Sequence, residues 1–406
     1  MIVGVAEFFT YNKRQTNLEP MFESRFVPLS ATLLAGTRAP AKTEKAPSRR
    51  VFLRAILATF AGAQLDPLVR SIVHDKTLIA EAAELSGAAI IVDLHCHANL
   101  SSGRSFAEFD SEIPDNMRAG GLDAGVFAVR GDHGTLRRSP TGHYTESRKP
   151  AVGELFQSSQ DQLDKVLKAS KAGKIGLAMS PTDIAEAKKN RQPCAVLAIE
   201  GSDPLEGDLS RVKFFYDLGV RVLQLMHYRI NEVGDIMTEA PRHKGLTTFG
   251  QDVVKEMNKL GMLIDLAHAS SDTISGVLAA SQHPVICSHT GAYALRANSR
   301  HLENGDMTAI SKKGGVIGVW PLLRRRDNFQ TYIRELDYVN NLVGADHVGI
   351  GTDLFGIASE TAIPTHKEFA LIPAALLSRG YRESDVEKIV GGNFMRVFRE
   401  VARPTG

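Results

Sequence analysis

Four short apolar runs in this sequence close on histidine, and two more close on a carboxylate. Ala89-Ile90-Ile91-Val92-Asp93-Leu94 leads to His95 and, two residues on, His97; Val222 to Met226 leads to His227; Met262 to Ala267 leads to His268; Pro284 to Ser288 leads to His289. Ala195 to Ile199 ends at Glu200, and Val348 to Thr352 ends at Asp353. A lone histidine in such a place is more often a hydrogen-bonded structural residue than a ligand. Four runs ending in histidine, with a glutamate and an aspartate on two others, point instead to a metal site. His95 and His97 are two apart, so on a strand both face one side, and a single ion could take an imidazole nitrogen from each at about 2.0–2.1 Å. Cys96 between them faces the other way, which argues against it as a ligand. The Glu200 carboxylate can bridge two ions about 3.5–4 Å apart, the second held by His268 and His289. Two such ions would share a water whose pKa falls toward neutrality, so a metal-bridging hydroxide would serve as the nucleophile. Consistent with that chemistry, there is no Gly-x-Ser-x-Gly turn and no other nucleophile motif.

Residues so far apart in sequence need elements that bring them to one place. From Ala88 onward, short β-branched runs alternate with helical patterns, the rhythm of a parallel sheet with crossover helices. Eight strands are predicted: Ala89 to His95, Gly125 to Arg130, Ala195 to Glu200, Arg221 to His227, Met262 to His268, Pro284 to His289, Gly315 to Trp320 and His347 to Asp353. Between them lie segments such as Phe249 to Leu260, with Val253, Val254, Met257 and Leu260 on one stripe. Eight strands, with no glycine-rich phosphate turn after the first, favour an α/β fold of the closed (β/α)8 TIM-barrel type over an open doubly wound sheet. In such a barrel all the carboxyl ends of the strands open on one face, where the candidate ligands fall.

The bulk properties narrow the partners. With 43% hydrophobic residues over 406 positions the chain can build a large globular core. A net charge of +2, both signs interspersed, gives no footprint for nucleic acid or an anionic membrane, leaving a small molecule as the expected partner. The three cysteines, Cys96, Cys194 and Cys287, lack zinc-site spacing and read as small buried hydrophobes. Composition shifts near residue 48: Thr37 to Pro47 is rich in Ala, Pro and Lys, then Ser48-Arg49-Arg50-Val51-Phe52-Leu53-Arg54 precedes the apolar Ala55 to Ala63. A charged segment, a short apolar segment and the small residues Ala61-Gly62-Ala63 resemble a twin-arginine export signal, with cleavage near 63/64 and the bacterial periplasm as destination. The apolar part is far shorter than the ~20 residues that span a bilayer, so no membrane span is expected. The expected division is an extension at 1–63 and a single catalytic barrel at 64–406.

Asp93-Leu94-His95, Ile199-Glu200-Gly201, Leu218-Gly219-Val220-Arg221 leading to His227, Gly261 to His268, Ser288-His289, Lys313-Gly314-Gly315-Val316, His347 to Gly351 and Gly391-Gly392-Asn393-Phe394 occur in that order. Together they resemble the renal, or membrane, dipeptidase family of metallopeptidases, from about Ile90 to the end. The resemblance implies a binuclear zinc barrel that cleaves dipeptides. His95 and Glu200 would bind the first Zn2+, and Glu200, His268 and His289 the second. His227 would hydrogen-bond the scissile carbonyl and stabilise the developing oxyanion. Asp353 would hold the attacking water and pass its proton to the leaving amine. Arg300 would clamp the substrate carboxylate with its planar fork. Association as a homodimer is also implied, although no isolated apolar stripe in the sequence marks an interface.

Where the family carries aspartate two residues after its first histidine, this chain has His97, and His-x-His is the commoner pattern of the wider amidohydrolase barrels. That exchange makes the site less negative by one charge, and altered metal affinity or a preference for another divalent metal at the first position is the expected consequence, with His97 as a ligand. It also keeps a second reading open, hydrolysis of a lactone, cyclic amide or phosphoester. A third is a metal-binding barrel without turnover, against which Asp353 argues, since a binding module has no need of it. Residues 102 to 122 and 130 to 150, rich in Gly, Ser and Arg, read as long active-site loops, a potential lid.

Overall fold

Eight parallel strands run in sequence order around the molecule: β1 (Val92–His97), β2 (Ala124–Arg130), β6 (Cys194–Glu200), β7 (Val220–Gln224), β8 (Leu263–Asp265), β9 (Ile286–Thr290), β10 (Val316–Val319) and β11 (Val348–Ile350). Three short strands complete the set, a hairpin of β3 (Leu136–Arg138) with β4 (Tyr144–Glu146), and β5 (Gly176–Leu177) beside β6. The structure is a computed structural model, and it describes residues 66–98, 109, 111–139, 144–324, 327–356 and 360–402. The Arg49-Arg50 segment and the expected cleavage point lie outside the described residues. Closure comes from the residues just past β11: Asp353 N donates to His95 O at 2.8 Å, and His97 N to Leu354 O at 3.0 Å. The strand-and-helix reading of the sequence therefore leads to the barrel it implied.

Alternation along the strands builds two apolar clusters. On β6, Val196 and Ala198 pack inside the barrel with Val92, Val126, Leu263 and Val316, while Leu197 and Ile199 face outward into the layer under the helices. Phe394 and Phe398 of the helix Asn393–Val401 close the interior cluster. Glu200 continues the parity of Val196 and Ala198, so its side chain enters the barrel at the carboxyl end of its strand. The helices obey ordinary local rules. Thr248–Leu260 starts where Thr247 Oγ1 accepts from Gly250 N at 2.9 Å, buries Val253, Val254 and Met257, and ends at Gly261 with φ 73°.

β1 departs from strict alternation. Val92 and Leu94 belong to the interior cluster, which by period two would send His95 and His97 outward. The register with β2 runs Asp93↔Gly125 and then Cys96↔Phe127, so Leu94 and His95 together oppose the single residue Val126. This extra residue reverses the parity: Cys96 turns into the outer cluster and His95 and His97 turn in. A similar shift lies between β9 and β10 where His289 leaves the ladder.

Three predicted strands are shorter than expected. β7, β8 and β11 each stop three residues before His227, His268 and Asp353. There, side chains take over from ladder bonds: Asp265 Oδ1 accepts from Ala267 N (3.0 Å) and Ser288 N (2.9 Å), and Asp93 Oδ1 accepts from Thr352 N (2.9 Å). The segments expected as loops include a helix at Ile113–Gly120 and, within 130–150, the β3–β4 hairpin.

Candidate metal centre

Glu200 is the hub of the barrel mouth. Its Oε1 lies 3.5 Å from His95 Nε2, 3.4 Å from His268 Nε2 and 3.7 Å from His289 Nε2. Its Oε2 lies 3.6 Å from His97 Nε2 and 3.3 Å from His227 Nε2. Asp353 Oδ1 stands 3.2 Å from His97 Nε2 and 4.0 Å from His95 Nε2. Ligand atoms set about 2.0–2.2 Å from one ion in a tetrahedron stand roughly 3.3–3.5 Å from each other, so these separations suit shared coordination. His95 Nε2, His97 Nε2, Glu200 Oε2 and Asp353 Oδ1 are buried without a hydrogen-bond partner, a costly arrangement that a cation relieves. The donor set is imidazole nitrogen and carboxylate oxygen throughout, the set zinc takes.

The outer nitrogens are held in turn. His97 Nδ1 faces Ala128 O at 2.9 Å, a carbonyl that can only accept, so Nε2 carries the free lone pair. Ser288 Oγ lies 3.0 Å from His289 Nδ1 and 3.3 Å from His95 Nδ1. Burial, with His289, His97 and His227 around it, holds His95 far below the usual imidazole range; burial likewise lowers His268, and it brings His289 to about 3. All three are therefore neutral imidazoles at physiological pH, the form in which a histidine can hold a cation. His268 and Asp353 have left-handed backbones, with φ 70° and 50°, conformations uncommon for residues other than glycine and concentrated at functional sites.

His227 behaves differently. Burial lowers its pKa, but the Asp132 and Glu200 carboxylates outweigh that and raise it. Burial would also raise Asp353, yet His97 and His289 beside it bring its carboxyl below the usual range. Arg300 lies over the Trp320 ring, 5.3 Å from its centre, with Nη1 2.8 Å from Met237 Sδ. Its Nε and Nη2 are buried without partners. Glu200, His227, Asp353, Arg300 and Trp320 all line one cavity of about 480 Å³, a volume suited to a small molecule. The β3–β4 hairpin forms part of its wall through Leu136, Arg138 and Tyr144.

All eight residues expected from the sequence meet at this mouth. Two of them have more reach than expected: Asp353 groups with His95 and His97, and His227 groups with Glu200 and His268, as potential ligand sets. Cys96, Cys194 and Cys287 are buried free thiols, and burial drives the Cys96 thiol far up. The sequence reading missed Asp132, two residues past the end of β2, and Ser288. Asp132 obeys the same rule as Glu200 and Asp353, a carboxylate at the carboxyl end of a strand, displaced two residues beyond the last strand residue.

The family model for membrane dipeptidase, peptidase family M19, matches residues 79–405. The dipeptidase tcpJ of Claviceps purpurea (strain 20.1) is 33% identical over 236 residues, 56% of each chain. Dipeptidase 3 of Mus musculus is 32% identical over 229 residues, covering 53% of this chain and 46% of the mouse protein. The chain spans about half the length of the curated relatives it matches. Among solved structures, an amidohydrolase from Pseudomonas aeruginosa shares 26% identity at a TM-score of 0.66, over 79% of this chain and 98% of that one. A metallo peptidase from Rhodobacter sphaeroides, liganded with a phosphinate mimic of the dipeptide L-Ala-D-Ala, shares the fold at 20% identity and a TM-score of 0.66, over 77% and 99%. With the family model spanning most of the barrel and the strand-end residues converging as described, the chain belongs to the membrane dipeptidase family, peptidase family M19.

Proposed function

We propose that this protein is a binuclear metal-dependent hydrolase that cleaves dipeptides with a free carboxyl end. The observation that carries it is one cavity joining a floor of metal donors around Glu200 to a wall that holds the Arg300 guanidinium, whose Nε and Nη2 are without hydrogen-bond partners. His95, His97 and Glu200, with Asp353 in reach, would hold one ion, and Glu200, His268 and His289 the other, zinc being the expected metal. When bound, the two ions supply Lewis acidity and lower the pKa of a water to the neutral range. The chain's own residues do the rest. Arg300 binds the substrate carboxylate through two parallel N–H bonds and so fixes the peptide over Glu200. His227, its Nε2 turned into the site, donates to the carbonyl oxygen as charge develops there. Asp353, held ionised at neutral pH, takes the proton of the attacking water and returns it to the leaving amine.

The test is hydrolysis of L-Ala-L-Ala and L-Ala-D-Ala before and after chelation, with zinc restored. Chelator-sensitive cleavage that zinc restores supports the reading. A folded, metal-loaded protein that cleaves neither sinks it. The His95-x-His97 pattern, commoner in the wider amidohydrolase barrels, is what supports a second reading, cleavage of a lactone, cyclic amide or phosphoester, for which the same preparation would then be assayed. Among the described residues no helix is long and apolar enough to cross a membrane. Export to the periplasm through the Arg49-Arg50 signal is proposed from the sequence.

A further inference from the structure

Asp132 has no part in the chemistry above, yet it is 0% exposed and lies against the ring of His227. Its two oxygens are 2.8 and 2.9 Å from His227 Nδ1, and Oδ2 also accepts from Tyr228 N at 3.3 Å. An ionised carboxylate can only accept, so Nδ1 carries the proton and Nε2 is the atom presented to Glu200 Oε2, 3.3 Å away, and to the cavity. The backbone is compressed to make this pair. Gly131 N donates to Glu200 O at 2.8 Å, and a Cβ on Gly131 would lie 2.1 Å from Gly201 O. Only glycine lets the exit of β2 close over the end of β6 and carry Asp132 across to a histidine that follows β7. The nearby carboxylate of Asp203 is engaged elsewhere, by Arg229 Nη1 at 2.8 Å and Asn231 Nδ2 at 3.2 Å, which leaves Asp132 as the carboxylate on the ring.

We propose that Asp132 is the positioning residue of His227, accepting from Nδ1–H and fixing the ring plane so that Nε2 faces the bond being cleaved. Its charge lies where it offsets that of a ring donating from both nitrogens. The consequence for rate rests on the dipeptide-hydrolase reading; the placement of the proton does not. Outer partners of this kind are worth about 10- to 100-fold, and a neutral asparagine in place of the aspartate no longer offsets the charge of a ring that donates from both nitrogens.

The experiment uses the full metal-loaded chain and its Asp132→Asn, Asp132→Ala, Asp132→Glu and His227→Gln variants. Proton NMR with ¹⁵N-labelled histidine should give a downfield Nδ1–H resonance that is lost in His227→Gln and in Asp132→Ala. Asp132→Asn should lower kcat for L-Ala-L-Ala by roughly 10- to 100-fold with little change in KM, melting temperature or metal content, and Asp132→Glu should recover part of the loss. A resonance indifferent to Asp132→Ala, or a kcat unchanged in folded Asp132→Asn, overturns the proposal, as does loss of metal in step with loss of rate. If the unmodified protein cleaves no dipeptide, the functional reading fails while the NMR comparison still decides the role of Asp132.

Discussion

Replacing Arg300 with alanine is the sharpest test of what the cavity recognises. Arg300 is 5% exposed, and two of its nitrogens, Nε and Nη2, have no partner. Burying an unpaired charged donor is unfavourable by about 1–3 kcal/mol or more, so the site is complete only with a ligand that accepts from both. A carboxylate does so in the bidentate geometry that guanidinium favours. Each charge-assisted hydrogen bond is worth about 1.5–3 kcal/mol, hence about 3–6 kcal/mol for the pair. At about 1.4 kcal/mol per tenfold, Arg300→Ala should lower kcat/KM for L-Ala-L-Ala by roughly 10²- to 10⁴-fold. The same dipeptide with its carboxyl end amidated already lacks the charge, so its much slower cleavage should fall by about tenfold or less. The assay is kcat/KM for both substrates with both proteins, metal content and melting temperature held as controls. Equal losses on the two substrates would refute the reasoning, because the arginine would then be serving the architecture and not the carboxylate.

Two further outcomes follow. His97→Asp restores the carboxylate that the family carries but sets it beside Asp353, which now lies 3.2 Å from the imidazole, and leaves the Ala128 carbonyl without its donor. The metal-free variant should melt lower than the parent and gain more from added zinc, since a cation relieves the new like-charge contact; equal zinc-dependent gains in calorimetry would count against His97 as a ligand position. Exchanging Arg49 and Arg50 for lysine should shift the full-length protein from the periplasmic to the cytoplasmic fraction of expressing cells, and undiminished export would remove the twin-arginine reading.

Much of this centre was legible in the linear chain because a parallel barrel converts strand order into a ring of carboxyl ends. Apolar runs that stop on His95, Glu200, His289 and Asp353 are visible without coordinates, and so is the family to which the motifs point. Parity placed Glu200 inside the barrel directly, since β6 alternates without interruption. The same rule fails for β1. Counting from Val92 and Leu94, it sends His95 and His97 outward, and only the extra residue opposite Val126 turns them in. That shift belongs to the pairing of two strands and has no signature in either alone.

The left-handed turns at His268 and Asp353, the early ends of β7, β8 and β11, and the approach of Gly131 to Gly201 are likewise products of chain segments meeting. The Asp132–His227 pair joins residues 95 positions apart, and neither declares the other in sequence. Sequence by itself determined which side chains were available and on which strands they stood, because hydrophobic period and residue chemistry are local properties. Which nitrogen of each histidine faces the Glu200 carboxylate, and which neighbouring group holds it there, the tertiary structure alone decided, because burial, hydrogen-bond direction and like-charge distance exist only between segments that folding has brought together.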